Sequence, residues 1–198
     1  MTLRVGVCVS GRGTNLQAIL DACRDGRLDA RVVYVASSRK SAPALERAKI
    51  AGIPAEAFPP AANGGRDAAQ RLMARRFVAA DVQLVVLAGY DRILADPFWD
   101  VLGEVPVINI HPSLLPSFGG LNRLRVHEAV LAAGVAETGC TVHRAHRGML
   151  DEGETIVQRR VPVLPGDDPA TLEARVLAEE HVAIVDAVAL FARSAVRA

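Results

Sequence analysis

Short apolar runs rich in valine and leucine recur at residues 3–9, 30–36, 82–88 and 105–110, and segments of helical spacing stand between them. That alternation is the strongest restriction on the fold. Strands that alternate with helices must cross over the sheet, and right-handed crossovers produce parallel pairing with both faces covered. The composition agrees, being 51% hydrophobic but only 4% aromatic, because a sheet buried on both faces is built from Val, Leu, Ile and Ala. The expected fold class is therefore α/β: a Rossmann-like open, mostly parallel sheet with helices on both faces. A length of 198 residues suits one ordinary domain, 1–198.

Turn chemistry places the elements. The first run stops at Ser10-Gly11-Arg12-Gly13, and from Thr14, an available N-cap, Leu16, Ile19, Leu20 and Cys23 follow helical spacing to a stop at Gly26. Residues 43–51 form a helix opened by Pro43, 53–58 a short extended piece, 67–80 a helix and 97–102 a short one. After a helix over 126–133, two β-type segments follow closely at 137–145 and 154–163, which predicts antiparallel additions at the sheet edge. Residues 165–168 then turn the chain into a long amphipathic helix from Pro169 to about Arg193.

Charge and cysteine usage exclude several functions. Lys plus Arg number 23 against 22 Asp plus Glu, so no overall field favours nucleic acid or a membrane surface. No apolar run approaches the ~20 residues of a membrane span. Cys8, Cys23 and Cys140 are odd in number, lack metal-type spacing and sit in apolar runs, as buried thiols do. The chain opens directly into a strand with no leader-like region, and the expectation is a soluble, cytoplasmic protein. His143 and His146 lie three apart on an expected strand and face opposite sides, and no other histidine spacing suits a metal, so none is expected.

Two places carry chemistry. The glycine loop with Gly13, Thr14 and Asn15 joins the first strand to its helix, where backbone amides and the helix dipole attract an anion. Leu16 occupies the place of a third glycine and no acid closes the second strand, so a monophosphate suits this loop better than a dinucleotide. Asn109 and His111 project side by side from the end of a central strand, and Pro112 and Pro116 stiffen the loop beyond it. An amide that can donate to an oxyanion beside an imidazole that titrates near neutrality suits acyl-type transfer. No serine or cysteine nucleophile stands beside them, which favours direct transfer. A turn at Asp151-Glu152-Gly153 could set a carboxylate against His111 and raise its pKa, or be only a solvated loop.

Four segments together resemble the glycinamide ribonucleotide formyltransferase family, folate-dependent enzymes of purine biosynthesis and one-carbon metabolism. They are Val9-Ser10-Gly11-Arg12-Gly13-Thr14-Asn15-Leu16-Gln17-Ala18-Ile19, Leu87-Ala88-Gly89-Tyr90-Asp91-Arg92-Ile93-Leu94, Asn109-Ile110-His111-Pro112-Ser113-Leu114-Leu115-Pro116 and Gly139-Cys140-Thr141-Val142-His143. The resemblance covers nearly the whole chain. It implies one formyltransferase domain moving a formyl group from 10-formyltetrahydrofolate to the amine of 5'-phosphoribosylglycinamide. It further implies a monomer or homodimer with small-molecule substrates, no nucleic acid, no membrane and no metal.

By the same resemblance Asn109, His111 and Asp151 match a catalytic trio, with Asn109 and protonated His111 stabilising the oxyanion. Asp151 would hold His111 and help move a proton to the departing folate nitrogen. Gly13, Thr14 and Asn15 match the phosphate loop and Glu180 an acid that contacts the acceptor. Folate would lie along Asp91, Arg92, Ile93 and Leu94, close to Asn109, with Arg66 at its distal part. Asp91 stands where an apolar residue is frequent, Glu154 where proline is common, and the loops at 119–125 and 144–150 are longer than usual. A rival reading takes Gly11, Gly13 and Arg39 as an NADP site, with NADPH binding in a fluorescence titration as its test; it leaves Asn109 and His111 without a role.

Overall fold

The computed structural model describes residues 2–121 and 123–195, so Asn122 of the 119–125 loop lies outside the described residues. In chain order the elements are β1 (Leu3–Val9), α1 (Thr14–Arg24), β2 (Ala30–Ser37), α2 (Pro43–Ile50) and β3 (Ala55–Ala57). Then come α3 (Arg66–Ala79), β4 (Leu84–Leu87), α4 (Asp96–Leu102), β5 (Val107–His111), α5 (Arg123–Ala132), β6 (Glu137–Arg144), β7 (Thr155–Pro162) and α6 (Pro169–Ala195). The strands form one sheet in the order β3-β2-β1-β4-β5-β6-β7. Neighbours from β3 to β5 pair in parallel, while β6 and β7 are antiparallel additions, as the spacing predicts.

Alternation along the strands divides the core between the two faces. Val5, Val7 and Val9 pack with Leu16 and Ile19 of α1 and with Leu172, Val176 and Ile184 of α6. Cys8, Val85 and Leu87 turn the other way, onto Met73 and Phe77 of α3 and Phe98 of α4. The Phe77 and Phe98 rings meet edge to face with centroids 6.4 Å apart. Each such side chain contributes about 1.5–3 kcal/mol when fully buried, so both layers are needed to hold the sheet. Cys8 and Cys140 are buried and Cys23 is half-buried. Among the described residues no helix is long and apolar enough to cross a membrane.

Several element ends differ from the sequence reading, each for a local reason. Thr14 is the first helical residue and not the cap; Gly13 precedes it with φ 71°, and no side chain caps the helix. A Cβ at Gly13 would stand 2.5 Å from the Ala44 Cβ, so its absence lets α2 approach the loop. The fourth strand starts at Leu84 because the Val82 amide bonds back to the Phe77 carbonyl. The fifth starts at Val107, after Pro106 has contributed its carbonyl to the Val85 amide. At the start of α6, Asp168 and Thr171 exchange hydrogen bonds as a reciprocal cap.

A crowded contact holds the two antiparallel strands. A Cβ built on Gly139 of β6 would lie 1.9 Å from the Arg159 carbonyl oxygen of β7. The Gly139→Ala variant is therefore expected to lose about 1–3 kcal/mol through forced separation of the backbones. Urea unfolding should show a lower midpoint with an unchanged m-value; an unchanged midpoint would rule the close approach out.

Candidate active site

Sheet alternation places Asn109 and His111 with Val107 on the α3–α4 face, at the carboxyl end of β5. Antiparallel pairing sets His143 of β6 directly opposite Asn109. Asp151 enters from the loop between β6 and β7, with its backbone in the left-handed region at φ 57°. Gly153 just beyond it carries no Cβ where one would meet the Arg144 carbonyl oxygen at 1.7 Å. The turn that presents Asp151 is thus pressed against the end of β6.

The Asp151 side chain, only 6% exposed, gathers the other groups. Its Oδ2 lies 3.2 Å from His111 Nδ1 and accepts a hydrogen bond from the Gly120 amide at 2.9 Å. Its Oδ1 accepts from Asn109 Nδ2 at 3.2 Å and lies 3.4 Å from His143 Nε2. Asn109 Nδ2 also bonds His143 Nε2 at 3.1 Å, and His143 Nδ1 is 2.9 Å from the Arg144 carbonyl. A carbonyl only accepts, so Nδ1 of His143 carries hydrogen and its Nε2 receives the Asn109 donor. By the same argument His111 Nε2, 3.0 Å from the Phe118 carbonyl, carries hydrogen.

The electrostatics correct one expectation. Asp151 does favour protonation of His111, but burial is the larger influence, and the net shift of His111 is below its ordinary value. Asp151 is affected first by burial, which raises it, but its contacts with His143, His111 and the Gly120 amide outweigh that and hold it below the usual carboxylate range. With its one hydrogen on Nε2, a neutral His111 leaves Nδ1 bare against Asp151 Oδ2, so that contact is a hydrogen bond only when the ring is protonated or its hydrogen has moved to Nδ1.

The cleft beside these groups is lined by Tyr90, Arg92, Ile93, Leu94, Met149 and Leu150 together with Asn109, His143 and Asp151. The expected folate segment therefore shares the cleft with Asn109 and Asp151 through Arg92, Ile93 and Leu94. Asp91 does not line the cleft; its carboxylate accepts from Ser38 at 2.9 Å and pairs with Arg39. Arg66 does not line it either, standing at the start of α3 against Asp67. The rival phosphate site loses its cation to Asp91, since Arg39 is the residue so engaged.

On the other side, Asn15 Nδ2 of α1 donates to Glu180 Oε2 of α6 at 2.8 Å, which unites the expected phosphate loop with the expected acceptor acid. Asn15 and Glu180 are 6% and 5% exposed, and Asn15 Oδ1 is buried with no hydrogen-bond partner. Cys8, Leu87 and Asn109 lie in one row across β1, β4 and β5. Two strand spacings, about 10 Å, therefore separate β1, which leads into the glycine loop, from β5, which carries Asn109 and His111. Among the described residues no group of three or more His, Cys, Asp or Glu is placed to hold a metal ion.

Sequence reading missed His143. Its signal was available in the β-type segment after residue 137: antiparallel pairing with the strand bearing Asn109 brings one polar residue opposite another.

Comparison with known proteins gives the site its context. A model of the formyl transferase family matches residues 3–188. The chain is 43% identical, over 98% of its length, to a trifunctional purine biosynthetic protein adenosine-3 of Drosophila pseudoobscura pseudoobscura, of which it spans 14%. It is 38% identical, over 90% of its length, to a phosphoribosylglycinamide formyltransferase of Escherichia coli K12, of which it spans 82%. Among solved structures, a glycinamide ribonucleotide transformylase 1 from Symbiobacterium toebii superposes with a TM-score of 0.91 at 47% identity, covering 98% of this chain and 89% of that one.

Proposed function

The chain belongs to the formyl transferase family, and from that premise we propose that it transfers the formyl group of 10-formyltetrahydrofolate to the amine of 5'-phosphoribosylglycinamide. The products are formylglycinamide ribonucleotide and tetrahydrofolate, a step of purine biosynthesis that we place in the cytoplasm. We read residues 1–198 as one formyltransferase domain, a monomer or homodimer acting on small molecules. The observation that carries the assignment is the convergence of Asn109, His111 and Asp151 beside a cleft that Asn109 and Asp151 line together with Tyr90, Arg92, Ile93 and Leu94. Support also comes from the glycine loop standing at the end of β1, two strands from β5, which suits an acceptor with its phosphate at one end and its amine at the other.

In this reading the phosphate lies on Gly13, Thr14 and Asn15 at the start of α1, where the first helical amides have no intrahelical partner. Glu180 and the buried Asn15 Oδ1 accept hydrogen bonds from the acceptor. The folate supplies the formyl carbon and a nitrogen that leaves. Asn109 donates to the oxygen on which negative charge develops. When substrate displaces the Phe118 carbonyl, the ring hydrogen of His111 moves to Nδ1, where Asp151 Oδ2 accepts it, and Nε2 is left bare toward the substrate. His111 takes the proton released by the attacking amine. As the carbon–nitrogen bond to folate breaks, its electron pair stays on that nitrogen, which receives the proton from His111. Asn109 and Arg92, Ile93 and Leu94 form the near part of the folate site; Arg66 is assigned to its distal part.

The deciding assay follows tetrahydrofolate formation with and without the ribonucleotide. Turnover only with the ribonucleotide supports the transferase, whereas turnover without it points to a hydrolase. The acid limb gives a second expected result. His111 acts from its neutral form, which burial favours, so kcat at saturation should fall as pH drops through a midpoint below the ordinary value of about 6.5. Stability has the same sign: the depressed group contributes fully above the unfolded value and that contribution is lost as pH falls through the folded one. A limb centred above 6.5 would mean that Asp151 outweighs burial.

A further inference from the structure

Resting on the folate-site reading above, we propose that Asp91 is a positioning residue. Clamped by Arg39 and Ser38, it holds segment 90–94 in the form that admits the folate and ties that segment to the glycine loop.

Three parallel strands end together here, and Asp91, just past β4, bonds to the turns that leave the other two. Ser38, after β2, donates to Asp91 Oδ1 at 2.9 Å, and Arg39 pairs with Oδ2. The Asp91 amide donates to Ser10 Oγ, after β1, at 2.9 Å, and Ser10 Oγ is 2.7 Å from Ser38 Oγ. Ser10 is also the first residue of the glycine loop, and its own amide bonds the Gly89 carbonyl at 3.1 Å. The carboxylate is thus the point where the glycine loop, the β2 turn and the folate segment meet.

The far end of the segment has a separate anchor. Gln70 of α3, 3% exposed, donates to the Ile93 carbonyl at 3.0 Å and accepts from the Ala95 amide at 2.5 Å. Between these two pins lie Arg92, Ile93 and Leu94, which line the cleft while Asp91 does not. Ile93 is 59% exposed, so packing alone holds this stretch weakly. Asp91 also draws Arg92, whose Nε stands 3.6 Å from Oδ1. Burial would raise the Asp91 carboxyl, yet the bonds from Ser10, Ser38 and Arg39 hold it below its ordinary value, so it is charged throughout the neutral range.

The test compares the wild type with Asp91→Asn, Arg39→Gln and Arg39→Lys in three measurements: amide hydrogen exchange of residues 89–94, calorimetric binding of tetrahydrofolate, and steady-state kinetics. Arg39 is half-exposed, so its variants keep the question open if Asp91→Asn fails to fold. Exchange should accelerate about tenfold and both the tetrahydrofolate Kd and the folate KM rise about tenfold, the scale of one lost charge-assisted hydrogen bond. The kcat at saturation should stay within about twofold, and Arg39→Lys should recover most of the loss. Unchanged exchange overturns the clasp; faster exchange with wild-type folate affinity overturns its positioning role. A wild type that binds tetrahydrofolate without turning over would sink the assigned reaction alone, leaving the clasp to be decided by exchange and binding. A wild type that binds no folate would sink both.

Discussion

Replacing His111 with glutamine is expected to lower kcat by about 10²- to 10⁴-fold, the range lost with a positioned acid–base group. The side chain is buried at the end of β5, and glutamine can still donate to the Phe118 carbonyl that now accepts from Nε2. The fold should therefore survive, and thermal melting should show a change of only a few degrees. KM values for both substrates should move little, because the imidazole is assigned to proton movement and not to holding either ligand in the ground state. The acid limb should vanish from the residual activity. Wild-type turnover in this variant would remove His111 from the mechanism.

Asn109→Leu, close in size, should reduce kcat by about 10²- to 10³-fold, as removal of one oxyanion donor does. The effect has a second origin in this protein. Asn109 Nδ2 stands between His143 Nε2 and Asp151 Oδ1, bonded to both, at 3.1 Å and 3.2 Å. Without that amide a bare ring nitrogen faces a carboxylate oxygen at 3.4 Å, two acceptors with no hydrogen between them. His143 must then acquire a proton or turn away, and either change disturbs the carboxylate that holds His111. His143→Ala, measured alongside in a double-mutant cycle, should be non-additive with Asn109→Leu; simple additivity would show that the two act separately.

The sheet was legible in the sequence because its signal is repetitive. Val-rich runs alternate with helical spacing, and α1, α2, α3, α4 and α6 begin beside a glycine or proline. What misled at element ends was contact with another element: Ala44 pressing on Gly13, or Phe77 capturing the Val82 amide, neither of which leaves a periodic trace. In the site, Asn109 and His111 were readable because a strand's period of two makes them neighbours. Asp151 needed the resemblance, since its approach depends on a loop between two strands. His143 needed the antiparallel register, and local spacing alone dismissed it. Asp91 was placed along the folate by the resemblance; the fold adds that its side chain turns toward Arg39.

The closed set of bonds around Asp151 bears on wasteful chemistry. In the resting protein the hydrogens of Asn109 Nδ2 are engaged by His143 and Asp151, and His111 Nε2 by the Phe118 carbonyl. A water molecule that wanders in must compete with these bonds before any donor is available to an oxyanion, and it brings no phosphate to anchor itself on the glycine loop. In the proposed reaction the acceptor has that anchor at the end of β1, two strands away, and its binding energy can be drawn on to open the set. Under the proposed reaction, this arrangement keeps an activated one-carbon unit from being squandered on solvent.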